Sequence, residues 1–240
     1  MSGQFPGMIL ADADFMIHGV FKYTLFGQEL YITTTHVAMF IVTVLILIVM
    51  ICAHHTMKHA KQIPGTFQNI IEMYVQTIDN MVASIMGKNA RRFVNYICAI
   101  FMYILFCNLS GLLGLRPPTA DYGVTLPLGL LTFGIIQYNN IKYNKFGAFT
   151  GLFKPLPFLF PINLIGEIAT PFSLSLRLFA NILSGTAIMA LIYTLLGKIA
   201  LIWPAALHVY FDIFSGAIQT YVFCMLTMTY IADACGDGEP

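Results

Sequence analysis

The stretch Val37-Ala-Met-Phe-Ile-Val-Thr-Val-Leu-Ile-Leu-Ile-Val-Met-Ile-Cys-Ala53 decides what kind of molecule this is. It carries no charge, and with its flanks it reaches the roughly 20 residues that a helix needs to cross the hydrocarbon of a bilayer. A first span is therefore expected over 34–54, with 1–33 as an external N-terminal segment. That segment has no basic region followed by an apolar run, so it reads as neither a secretory signal nor a transit peptide. Beyond the span, His54-His-Thr-Met-Lys58-His-Ala-Lys61-Gln-Ile-Pro64-Gly65 is a basic juxtamembrane ramp ended by a turn signal. The rest of the chain agrees. Of 240 residues, 58% are hydrophobic and 10% charged, and the mean hydropathy is +0.78. A soluble domain carries about 25% charge, so this chain must give much of its exterior to lipid. Its net charge of +1 offers no basic field for nucleic acid. The five cysteines are scattered, three of them (Cys98, Cys107, Cys224) within apolar stretches, with neither a disulfide framework nor zinc spacing.

Working outward, 66–88 behaves differently from a span. Ile70, Met73, Ile78, Met81, Val82 and Ile85 recur at three- and four-residue intervals, with Gln68, Glu72, Gln76 and Asp79 between them. This predicts an amphipathic helix lying at the membrane interface or against another subunit. A second span is expected over 93–115, interrupted by Asn108 and Ser110, and a third over 124–139, separated by a loop rich in turn signals around Pro117 and Pro118. Two long segments, 163–199 and 204–232, exceed a perpendicular crossing and so form a tilted hairpin. The expected fold is a single all-α membrane domain over 1–240, with about five membrane-embedded helices and one interfacial helix. Basic residues crowd the connection after the first span (Lys58, Lys61, Lys88, Arg91, Arg92) and the one after the third (Lys142, Lys145, Lys154). By the positive-inside rule these lie in the cytoplasm, placing the N-terminus outside and the C-terminus inside.

Away from the segment ends, where Lys198 lies, three charged residues fall within the later spans: Glu167, Arg177 and Asp212. A charge in lipid is costly, roughly 2.5–3.5 kcal/mol for a mid-helix Arg, and marks a functional site by default. Arg177 lies far in sequence from any Lys, within Pro171-Phe-Ser-Leu-Ser-Leu-Arg-Leu-Phe-Ala-Asn-Ile-Leu-Ser-Gly185. At helical spacing Ser173, Asn181 and Ser184 share its face. On the last segment His208, Asp212, Ser215 and Gln219 recur at i, i+4, i+7 and i+11, a file of groups able to relay protons. Tyr210, Ile213, Phe214, Ala217 and Tyr221 lie opposite, suited to lipid. The plainer alternatives are a structural ion pair between Arg177 and Asp212, Glu167 as a cap on its own helix, His208 as an interfacial histidine, and Asn181 and Gln219 as interhelical hydrogen-bond partners. His55 and His59 stand at i, i+4 with no third metal ligand evident, and no nucleophile set, phosphate loop or cofactor motif is present.

The motifs Ser173-Leu-Ser-Leu-Arg177-Leu-Phe-Ala-Asn181 and Gln219-Thr-Tyr-Val-Phe-Cys-Met-Leu-Thr-Met-Thr-Tyr230 resemble those of subunit a of the F-type ATP synthase. Pro64-Gly-x-x-Gln68-Asn-x-x-Glu72 and Asn108-Leu-x-Gly-Leu-x-x-x-Arg-Pro-Pro-Thr119 extend the resemblance, which covers roughly 30–235. It implies a non-catalytic, cofactor-free stator subunit that holds a ring of c-subunit proteolipids against two offset aqueous half-channels. Peripheral stalk b subunits, the rest of the holoenzyme and membrane lipid are its other implied partners. By the resemblance Arg177 faces the ring carboxylate, Asn181 and Gln219 sit beside it, and Asp212, His208 and Ser215 line the outer half-channel. Glu167 then lines the inner one. Many relatives carry a Glu nine residues after the arginine, where this chain has Thr186; the titratable group is read as relocated to Asp212, a position that holds His or Glu elsewhere. Some relatives also hold the counterpart of Glu167 one turn earlier. The implied location is a bacterial plasma membrane, or alternatively an organellar energy-transducing membrane. The rival readings are a secondary transporter, against which the lack of internal repeats argues, and a histidine-based membrane metalloenzyme.

Overall fold

The computed structural model describes residues 19–25, 28–59, 64–113, 115–144, 158, 160–196, 207 and 209–235. The chain enters through an antiparallel hairpin, β1 (Gly19–Leu25) and β2 (Gln28–Thr33), with Lys22 opposite Tyr31 and Leu25 opposite Gln28. The sequence reading put no element in this segment, although its β-branched and aromatic content suits a short ribbon. Thr33 ends β2 and caps α1 (Thr34–Lys58), sharing a 2.6 Å hydrogen bond between its hydroxyl and His36 Nδ1. The body is helical: α2 (Thr66–Met86), α3 (Ala90–Leu109), α4 (Tyr122–Asn144), α5 (Phe160–Leu196) and α6 (Val209–Cys235).

Among the described residues, four helical stretches are long and apolar enough to cross a membrane: α1, Ala90–Leu112, Phe160–Ile192 and α6. The fifth expected span, α4, has 23 residues and thus the length, but it is less apolar. Helix α1 buries only Thr35, Ala38 and Val42, and leaves Phe40 71% and Ile51 68% exposed. Side chains of that kind facing outward are those of a lipid-facing helix, since lipid takes the place of a protein core around them.

The core lies where α2, α3 and α6 meet, with Ile78, Val82, Met86, Ile97, Ile104, Phe223 and Met228 buried together. Part of the apolar face of α2 is thus covered by the chain itself. Its Ile78, Val82 and Met86 face this chain's own α3 and α6, while Ile70 and Met73 remain exposed. At about 100° per residue these two lie roughly 80° and 140° around the helix from Ile78, so the single stripe divides between core and exterior. Tyr74 pins α2 to α3 by donating from its hydroxyl to the Cys98 carbonyl at 2.9 Å. Burial, with Cys98 beside it, pushes this phenol well above its usual pKa, so it stays a donor.

Two further features position the later helices. After α3 the chain tightens into a 3-10 turn (Ser110–Leu113) and a second one at Pro118–Ala120, and Pro117, Pro118, Thr119 and Ala120 are buried. The expected turn-rich loop is therefore an interior plug. At the α4–α5 crossing, a Cβ added to Gly129 would lie 2.6 Å from the Pro171 carbonyl oxygen and 3.2 Å from Ser175 Cβ. Only glycine lets these backbones approach so closely. Pro171, inside α5, has no N–H to return to the Glu167 carbonyl one turn earlier. Gly129→Ala must displace backbone rather than a side-chain tip. It is expected to cost about 1–3 kcal/mol, read as a lower thermal denaturation midpoint in detergent; an unchanged midpoint would show that α4 and α5 are not locked at this point.

Candidate functional site

Helix α5 carries its charge outward. Pro171, Leu174, Ser175, Leu178, Ile182, Gly185 and Met189 form its buried side, at three- and four-residue intervals. Phe172, Ser173, Leu176, Arg177, Ala180 and Ser184 form the exposed one. Among the described residues Arg177 has neither an ion-pair nor a hydrogen-bond partner. The structural ion pair with Asp212 is thus not formed. Asn181 departs from the expected stripe: it is half-buried and turned toward α6, where Nδ2 donates to Ser215 Oγ at 3.0 Å and Ser215 Oγ donates back to Asn181 Oδ1 at 3.1 Å. Asn181 and Ser215 are brought together; Arg177 stands beyond them on the open face.

The start of α6 is not an ordinary α-helix. Val209–Ser215 is π-helical, and regular α-helix begins at Gly216. The spacing that aligned Asp212, Ser215 and Gln219 assumed 3.6 residues per turn throughout, and the wider π-turn breaks that register. Such turns concentrate at functional sites. Asp212 lies against α3 and the plug: a Cβ on Gly111 would sit 3.5 Å from its Cγ and 3.4 Å from the Pro117 ring. Gly185 of α5 meets the Phe211 ring in the same way, at 3.5 Å. That contact brings the turn bearing Thr186, whose hydroxyl donates to its own helix at the Leu183 carbonyl, alongside the π-turn. Tyr210, Ile213, Phe214 and Tyr221 face outward. Gln219 is 8% exposed, and its Nε2 has no hydrogen-bond partner among the described residues. His208 lies outside the described residues.

Glu167 occupies a separate place. It lines a pocket of about 240 Å³ with Gln137, Asn140, Thr170, Tyr230 and Asp233, and Gln137 Nε2 donates to its Oε2 at 3.2 Å. The sequence reading named neither Gln137 nor Asp233. Nor did it assemble the buried network behind the π-turn, in which Asn108 Nδ2 donates to the Gly216 carbonyl (3.0 Å) and to Thr220 Oγ1 (3.2 Å) while its Oδ1 accepts from Thr119 Oγ1 (2.9 Å). The one available signal was Asn108 itself, a polar break in an apolar span. Among the described residues no group of three or more His, Cys, Asp or Glu is placed to hold a metal ion.

The fold and this arrangement define a multi-pass helical membrane protein with an unpaired cation on an outward membrane face. Residues 36–232 match the family model described as ATP synthase A chain. The sodium-ion-specific ATP synthase subunit a of Propionigenium modestum is 36% identical over 199 residues, covering 76% of this chain and 68% of that protein. The ATP synthase subunit a of Priestia megaterium is 35% identical, covering 85% and 94% respectively. That of Listeria welshimeri is 34% identical over 99% of each. The chain belongs to the ATP synthase subunit a family.

The Asn108 network carries a test. Asn108→Ala removes two donors and one acceptor from a fully buried site, leaving Thr119 without its acceptor. The expected cost is about 1–3 kcal/mol, seen as a lower denaturation midpoint; a midpoint equal to that of the unaltered protein would remove the network from the account of how α6 is held.

Proposed function

We propose that the chain is the ion-conducting stator subunit of a rotary ATP synthase, passing protons through two offset half-channels to and from a carboxylate on a rotating ring. The observation that carries this reading is Arg177, exposed on a membrane helix and unpaired among the described residues. Leu176 beside it is also exposed, so the face fits a partner that is apolar apart from an anionic group. The Arg177 guanidinium cannot lose its proton in a protein. It draws an ionised ring carboxylate toward it, favours proton loss from that carboxyl on approach, and blocks a direct wire between the two half-channels. Such a wire would dissipate roughly 2.3 kcal/mol per charge per 100 mV.

In this reading Asp212, with Asn181 and Ser215, serves the outer half-channel, to which His208 is also assigned. Asp212 takes the acidic part that relatives give to the position of Thr186. Glu167, at the opposite end of α5's polar positions, serves the inner half-channel. Gln219, buried with an unpartnered Nε2 among the described residues, is read as a polar group behind the ring-facing surface. The N-terminus lies outside and the C-terminus in the cytoplasm of a bacterial plasma membrane, with the c-ring and peripheral stalk b subunits as neighbours. The proton is the ion of this reading, with selectivity lying largely in the binding site of the ring, which is another chain.

Arg177→Lys is the sharpest test. Lysine keeps a charge but can lose its proton when desolvated and lacks the planar fork. The assembled variant complex is expected to lose coupled ATP synthesis, and near wild-type synthesis would overturn the requirement for arginine. Asp212→Asn should slow pumping in membrane vesicles, and Thr186→Glu with Asp212→His should recover part of the flux. Wild-type pumping by Asp212→Asn vesicles would remove Asp212 from the path, and an obligatory sodium requirement would replace the proton as coupling ion.

A further inference from the structure

The pocket around Glu167 contains two carboxylates, and they are not equivalent. Glu167 comes from α5, and Asp233 from the last turn of α6. Of these two, Glu167 alone receives a side-chain hydrogen bond among the described residues, from the Gln137 amide at 3.2 Å. The amide stands on α4, and the α4–α5 spacing is fixed nearby, where Gly129 and the Pro171 carbonyl leave no room for a methyl group. Gln137 is therefore presented to Glu167 by a rigid crossing. An amide donates without titrating, so it can orient a carboxylate and leave the carboxylate's proton free to exchange with the pocket. An arginine at the same position would instead hold a permanent counter-charge there.

We propose that Gln137 is a positioning residue for ion transfer, selecting Glu167 over Asp233 as the exchanging carboxylate of this pocket. The proposal rests on the reading of Glu167 as an inner half-channel group. It makes α4 a working wall of that half-channel, beside α5 and α6. The unit that functions is one carboxylate and one amide facing each other across the α4–α5 contact.

The test uses the assembled complex in inverted membrane vesicles, with ATP-driven proton pumping normalised to the amount of assembled complex. Gln137→Met keeps the length of the side chain and removes the donor. It should slow pumping by about tenfold, as the loss of one charge-assisted hydrogen bond implies. Glu167→Gln should also slow it, and adding Gln137→Met to Glu167→Gln should produce no further loss, because Gln137 acts through Glu167. The swapped pair, Gln137→Glu with Glu167→Gln, restores one acid and one amide in the same contact and should recover pumping lost in Glu167→Gln. A residue that only packs α4 would not be rescued by the swap. Impaired Glu167→Gln with unimpaired Gln137→Met, additive losses in the double variant, or a swap no better than Glu167→Gln would overturn the role of Gln137 and leave that of Glu167 standing. Full pumping by Glu167→Gln alone would overturn both.

Discussion

A bilayer interior has no water to satisfy backbone amides and carbonyls, and the rest of this structure answers to that constraint. Along α1, α3, α5 and most of α6 the helices meet it internally. Among the described residues, the plug after α3 and the π-turn that opens α6 are departures from regular α-helix that adjoin candidate spans. Both departures are bound to one side chain. Asn108 accepts from Thr119 in the plug and donates to the Gly216 carbonyl, where the π-turn gives way to α-helix. Within the plug Pro117 and Pro118 have no N–H to satisfy, Ser110 Oγ donates to the Cys107 carbonyl at 2.7 Å, and the amides of Ala120 and Asp121 return to the Pro117 and Pro118 carbonyls. Irregular backbone persists here because it is buried in protein and supplied with partners.

The same economy of partners governs the charges. Asp212 is tucked against Gly111 and Pro117, on the side of α6 that faces α3, whereas Arg177 projects from the open face of α5. Pairing the two would have neutralised both within the chain and ended any pull on an outside anion. Between them the reciprocal Asn181–Ser215 bond joins the two helices with neutral groups alone. The chain thus keeps its acid and its base apart by packing, and leaves the cation to be answered by something beyond its own surface. This is the arrangement that the proposed barrier between two half-channels requires.

The spans were legible because lipid imposes a length and a composition on a contiguous stretch: 34–54 falls within α1, and 163–199 agrees with Phe160–Leu196 as far as the described residues run. Arg177 and Glu167 stand out in the sequence for the same reason, as charges where apolar residues belong. Other features depend on contacts between distant positions. Asn108 was visible as a break in a span, but its partner Gly216 lies more than a hundred residues away, and no local pattern connects them. The π-turn was illegible because a periodicity argument presupposes the very helix whose pitch was in question. The stripe on α2 was legible only in part. Apolar periodicity shows that a helix has an apolar face without saying whether lipid, another subunit or its own chain covers it, and Ile78, Val82 and Met86 turned out to be covered by α3 and α6.

Helix α4 shows where composition alone gives the weakest signal and why. It is the least apolar of the five expected spans, yet its polar residues are not spread evenly around it. Thr125, Thr132 and Asn139 are buried, while Leu130, Leu131, Tyr138 and Ile141 are exposed. The helix is amphipathic in the membrane sense, with its polar side turned toward protein. Thr132 meets the Tyr96 hydroxyl of α3 at 3.1 Å, and Gln137 meets Glu167 of α5 at 3.2 Å. A helix that must hydrogen-bond to two neighbours carries polar groups that an averaged hydropathy counts against it. Its reduced apolarity is therefore a consequence of its packing against α5 and α6 with a hydrogen bond to α3, and it is this position that lets a neutral amide reach the carboxylate on α5.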